Sequence, residues 1–129
     1  MKEERKKVVL VDDNPVYLKL ARNILMAKYD VFTVPSAEKL FQILKKITPE
    51  IILLDVMMPV MNGYDAIKEL KSRAETSGIP VVFLTGKDDP DNERLGLSLG
   101  AVDYIFKPFS PPQLLETIER CLPPQQGRP

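Results

Sequence analysis

Apolar positions along the chain fall into short unbroken runs separated by stretches with helical spacing. The runs are Val8–Val11, Val31–Val34, Ile51–Leu54, Val81–Leu84 and Tyr104–Phe106. They are rich in β-branched residues, and most do not alternate with polar ones. Strands buried on both faces have this pattern, so it predicts a parallel sheet covered by helices. Between the runs, Leu18, Ala21 and Leu25 share one helical face, and Leu40, Ile43, Leu44 and Ile47 share a second. Ile67 with Leu70 marks a third helix, Leu95 with Leu99 a fourth, and Leu114, Ile118 and Cys121 a fifth. The punctuation agrees: Pro15 suits a first helical turn, Ser36 with Lys39 supplies half a capping box, Asn62–Gly63 opens the third helix and Pro111–Pro112 the last. Five strand–helix pairs in 129 residues predict one α/β doubly wound domain. The domain is expected to span residues 1–122, with 123–129 a disordered tail or the start of a linker.

In an open parallel sheet, ligands bind beyond the carboxyl ends of the strands. Asp12 and Asp13 follow the first run, Asp55 the third, Thr85 the fourth and Lys107 the fifth. Only the second run ends without such a group, which suits an edge strand away from the site. Parallel strands would therefore gather three carboxylates, a hydroxyl and an ammonium in one crevice. Unit charges about 4 Å apart interact by roughly 4 kcal/mol at an effective dielectric near 20, so three carboxylates require compensation. A divalent cation opposite Lys107 would supply it, and Mg²⁺ accepts one or two carboxylates while keeping several waters. Taken singly, each residue also has a plain structural use: Asp12 or Asp13 as a helix cap, Asp55 and Lys107 as turn residues, Thr85 as a strand-end hydroxyl, Tyr104 as part of the core. Their joint placement on four strand ends is what points to a site.

Composition narrows the chemistry. The chain has no His, which excludes Ser–His and Cys–His catalysis within it and any His-ligated metal. Lys plus Arg equals Asp plus Glu at 18 each, leaving no overall charge to draw nucleic acid or a membrane surface. Cys121 is the single cysteine, so no internal disulfide forms; with no signal peptide or spanning segment, the expectation is a cytoplasmic protein.

The ordered set VLVDDN, IILLDVMMPVMNGYD, IPVVFLTG and GAVDYIFKPF resembles the receiver domain of two-component response regulators. The resemblance runs from about Lys7 to Leu122. It implies a flavodoxin-like (βα)5 fold of strand order 2-1-3-4-5, an order for which general fold rules already cite a receiver protein. It also implies a phosphorylation-dependent signalling switch rather than an enzyme. Asp55 would accept a phosphoryl group from a histidine kinase or histidine phosphotransfer protein. Asp13 and Asp55, with the backbone carbonyl of Met57, would hold Mg²⁺, and Asp12 would assist. Lys107 would pair with the carboxylate and then with the phosphoryl oxygens; Thr85 and Tyr104 would act as the switch pair. The Lys107–Pro108 bond would be cis. A changed surface on helix 4, strand 5 and helix 5 would alter binding to a downstream protein or fused output domain, and could act through a dimer. No direct nucleic-acid contact and no membrane insertion are expected.

Met57 is apolar and Lys87 basic at two places where such domains adjust water access to the phosphoryl group. GAVDYIFKPFSPP looks especially like receivers attached to cyclic-dinucleotide enzymes. Gly96 within DNERLGLSLG predicts a marginal fourth helix, because glycine costs about 1 kcal/mol against alanine there. On that helix Leu97 is expected to face away from Leu95 and Leu99. Three rival readings remain: a haloacid-dehalogenase-type phosphatase, which expects Asp-x-Asp where this chain has Asp12-Asp13-Asn14; a flavodoxin-like cofactor binder, whose phosphate Asp12 and Asp13 would repel; and a receiver-like interaction module that is never phosphorylated.

Overall fold

The computed structural model describes residues 5–86 and 90–122, the side chains of 90 and 91 excepted. Lys87 and the expected tail at 123–129 lie outside the described residues. Strands and helices alternate: β1 (Lys7–Val11), α1 (Pro15–Leu25), β2 (Asp30–Val34), α2 (Ala37–Ile43), β3 (Ile51–Asp55), α3 (Gly63–Lys71), β4 (Val81–Thr85), α4 (Pro90–Ser98), β5 (Asp103–Phe106) and α5 (Pro111–Cys121). The five strands form one parallel sheet in the order β2-β1-β3-β4-β5. This is the doubly wound parallel sheet that the alternation predicts, in the flavodoxin-like order that the receiver resemblance implies.

The sheet divides the interior into two cores. Alternate residues of the central strands point to opposite faces. Val9, Ile52, Leu54, Val81 and Phe83 pack with Leu40, Ile67 and Leu70 of α2 and α3. Val8, Leu10, Ile51, Leu53 and Val82 pack with Ala21 and Leu25 of α1 and Leu114 and Ile118 of α5. Unbroken apolar runs are thus required, because β3 and β4 are buried along their whole length.

Helix starts follow the local chemistry. Asn14, not Asp12 or Asp13, caps α1 by accepting the Val16 N–H at 2.9 Å. Ser36 and Asn62 cap α2 and α3. Ser110 and Gln113 form a full capping box on α5, beyond the Pro pair read from the sequence. Two expectations change. α2 ends at Ile43, and Leu44 to Ile47 continue as turns through Leu44 N–H to Leu40 and Ile47 N–H to Ile43. On α4, Leu95 does not share a buried face with Leu99: Leu95 and Leu97 are both about half exposed, and Gly96 is the buried residue. The reason is steric, since the ring of Tyr104 occupies the space that a side chain at 96 would need.

Candidate functional site: an acidic pocket at the carboxyl edge of the sheet

The site is built by strand ends. Val11 pairs with Leu54 in the β1–β3 register, so the next residues, Asp12 and Asp55, emerge side by side. Asp55 pairs with Leu84 on β4, and Thr85 pairs with Phe106 on β5, which sets Lys107 beside both. The Lys107 N–H donates to the Thr85 carbonyl at 2.8 Å, locking that corner. The Lys107–Pro108 bond is cis.

Asp12, Asp55 and Thr85 are buried, and Asp13 is exposed at the mouth. The three acids each place an oxygen within 4.8 Å of the others. Lys107 Nζ lies 2.6 Å from Asp12 Oδ2 and 3.4 Å from Asp55 Oδ1. Among the described residues, one ammonium faces three carboxylates and does not balance them. Asp12 Oδ1 accepts the Asn14 N–H at 2.9 Å and Asp55 Oδ1 the Met57 N–H at 3.4 Å. Asp12 Oδ2 is buried, touched by the ammonium but met by no donor in hydrogen-bonding geometry. Burial first, then the neighbouring Asp12 charge, pushes the Asp55 carboxyl up to about 7, against the opposing pull of Lys107. Three carboxylates with oxygens within 4.8 Å of one another, one of them raised by burial and by its neighbour, fit a hard divalent cation.

The loop after Asp55 is held close by Gly63. A Cβ there would approach the Val56 Cα to 2.9 Å and run into the Asp55 carbonyl, while the Gly63 N–H donates to the Val56 carbonyl at 2.8 Å. Met57 is exposed, and Val60 adopts φ 71° on the same loop. Tyr104 is half-buried, its ring 5.6 Å from Phe83, and its hydroxyl donates to the Asn92 carbonyl on α4. Tyr64 of α3 reaches the same carbonyl at 3.4 Å. Burial pushes the Tyr104 phenol up to about 12, with Tyr64 adding to it.

The structure brings together Asp12, Asp13, Asp55, Thr85 and Lys107, and it joins Tyr104 to α4 rather than to the acids. Sequence reasoning missed Tyr17, whose ring lies under the Lys107 ammonium at 4.5 Å. It also missed Gly63 as the support of Asp55. Tyr17 stands in the first turn of α1 with no special neighbour in sequence, so only the fold reveals its contact.

An acidic pocket opposite a lysine, at the carboxyl edge of a sheet in this order, defines the class as a CheY-like signalling domain. The family model for the response regulator receiver domain matches residues 8–119. The chain belongs to that family. Among solved structures, the chemotaxis protein CheY4 of Vibrio cholerae superposes with a TM-score of 0.87 at 30% identity, over 92% of this chain and 99% of that one. The receiver domain of a sensor histidine kinase from Pseudomonas aeruginosa, solved with a magnesium ion in its active site cleft, gives a TM-score of 0.82 at 26% identity, over 91% and 97% of the two chains. A probable cyclic di-GMP phosphodiesterase of Vibrio cholerae is 39% identical over 115 residues, 89% of this chain and 26% of that protein. The DNA-binding response regulator MtrA of Mycolicibacterium smegmatis is 32% identical over 126 residues, 97% of this chain and 54% of that protein. The chain thus spans about a quarter to a half of these curated relatives. Receiver domains are signalling domains of two-component systems, and they bind Mg²⁺ at an acidic pocket. Among the described residues, no helix is long and apolar enough to cross a membrane.

Proposed function

We propose that this receiver is a phosphorylation-dependent switch in which Asp55 takes a phosphoryl group from a phosphohistidine of a histidine kinase or phosphotransfer protein. The observation that carries this reading is buried Asp12 and Asp55 facing partly buried Lys107, with exposed Asp13 beside them. An oxygen of Asp55 attacks phosphorus, the P–O bond forms as the P–N bond breaks, and the imidazole leaves with its electron pair. The reaction needs in-line placement and charge stabilisation more than a strong nucleophile. Asp12, Asp13 and Asp55, with the Met57 carbonyl, would hold Mg²⁺, which supplies positive charge against the phosphoryl oxygens. Lys107 supplies the rest from the opposite side. Thr85, buried at the end of β4, would meet the new phosphoryl group through its hydroxyl.

The switch then passes through Tyr104 to α4. Its hydroxyl already grips the Asn92 carbonyl, and it sits on β5 beside the strand that carries Thr85, so a shift at the end of β4 would pass along that seam to α4. The altered α4–β5–α5 face would bind a downstream protein or an output domain. The receiver unit is assigned as residues 1–122. An overall charge of zero favours a protein partner over direct contact with nucleic acid. Incubation with Mg²⁺ and a small phosphodonor, read by intact mass, tests the reading. A phosphate-sized gain that vanishes in Asp55→Asn is expected. No gain from any small donor or kinase would favour an interaction module that is never phosphorylated.

A further inference from the structure

Among the described residues, the Lys107 ammonium meets two carboxylates and one aromatic ring. The ring is that of Tyr17, 4.5 Å from Nζ to the ring centroid. Tyr17 is itself braced by buried Phe109, whose ring centroid lies 5.8 Å away. Phe109 follows the Lys107–Pro108 pair, so the strand end that delivers the ammonium also holds the ring beneath it. Lys107 is 12% exposed, which places this contact largely out of water, where a cation over an aromatic face is strongest.

This arrangement answers a difficulty in the proposed chemistry. Asp12 and Asp55 are the acids that hold Lys107, and they are also the acids a divalent cation would claim. An ammonium tethered by those carboxylates alone would have to share them with the cation. The ring of Tyr17 gives it an anchor that does not compete.

We infer that Tyr17 is a positioning residue for Lys107, holding its ammonium over the acidic pocket by a cation–π contact. This inference rests on the phosphoacceptor reading of Asp55. The contact depends on the electron-rich ring face and not on the hydroxyl, so Tyr17→Phe should behave as the parent chain. Tyr17→Leu keeps apolar bulk but removes the face. Pentafluorophenylalanine at 17 keeps size and shape while reversing the face potential.

Two measurements separate the possibilities. In the metal-free protein, the side-chain methylene protons of Lys107 should show an upfield ring-current shift in the parent and in Tyr17→Phe, and lose it in Tyr17→Leu. With saturating Mg²⁺ and a small phosphodonor, the rate constant for Asp55 phosphorylation should stay within about twofold in Tyr17→Phe. It should fall about three- to tenfold in Tyr17→Leu and in the fluorinated variant, the size of a partly desolvated cation–π contact. Should Tyr17→Leu fail to fold, the fluorinated variant carries the test alone. Unchanged rates in the leucine and fluorinated variants, or a parent Lys107 without the shift, would overturn the inference. A parent that shows the shift but takes up no phosphoryl group would refute the phosphoacceptor reading itself, and the role of Tyr17 with it.

Discussion

Asp55 is the side chain whose chemistry is most altered by its surroundings. Its carboxyl is raised from 3.8 to about 7, chiefly by burial and then by Asp12. The folded chain therefore holds a proton, over that range, that the unfolded chain has released. The contribution of Asp55 to stability is greatest below about pH 4 and is lost as pH rises through 7. Replacing Asp55 with Asn should then stabilise the cation-free protein above neutrality by about 1–3 kcal/mol, measured by urea denaturation in chelator. At low pH the two chains should converge. Saturating Mg²⁺ should stabilise the parent and not the variant, since a ligand that binds only the folded state adds to its stability. If Asp55→Asn gains nothing above neutrality, the crowded charge in the pocket is not a cost to the fold. Lys107→Met removes the ammonium 2.6 Å from buried Asp12 and should cost about 3–5 kcal/mol without a cation. Acid should restore much of that loss by neutralising the carboxylates.

At the scale of elements, α4 carries the most informative contrast between pattern and packing. Read as a sequence, Gly96 is a weakness in a helix, and alanine there should add about 1 kcal/mol. In the fold, a Cβ at 96 would sit 2.8 Å from Tyr104 Cζ and 2.9 Å from Phe83 Cδ2 and would collide with the Tyr104 hydroxyl. Gly96→Ala is thus expected to destabilise by about 1–3 kcal/mol, in the range of overpacked sites, and to change the near-UV dichroism of the tyrosines. Leu97→Ala on the exposed side should stay within about 0.5 kcal/mol. A stabilised Gly96→Ala would show that Tyr104 leaves its place beside α4 at little cost. Gly63→Ala should be worse than either, because there the obstruction is the backbone of Asp55 and Val56 and no side chain can swing aside. These glycines also explain what the sequence conceals. Apolar runs announce strands because a doubly buried strand leaves no alternative. A glycine that makes room for a distant side chain looks the same in sequence as one that merely weakens a helix. The short α2 has a similar cause: Leu44 and Ile47 keep helical spacing through successive turns after the regular helix ends.

Across the whole molecule, parallel topology is what made the pocket legible. Once five strands run the same way, every residue that follows one lies at a common edge, and Asp12, Asp13, Asp55, Thr85 and Lys107 could be gathered without a coordinate. Tyr17 could not, because it enters from a helix through the packing of Phe109. The same topology leaves α5 lying against the edge strand β5, where Arg120 holds Asp103 at 2.5 Å and Cys121 Sγ lies 3.9 Å from the same carboxylate. Burial and Asp103 both push the Cys121 thiol up, so its reactive thiolate is scarce while α5 stays seated. The chain's single sulfhydryl is therefore a clock for that seam. Its alkylation should run several-fold slower than that of a free cysteine, and should quicken on any event that lifts the end of α5 away from β5, with no label or substitution introduced.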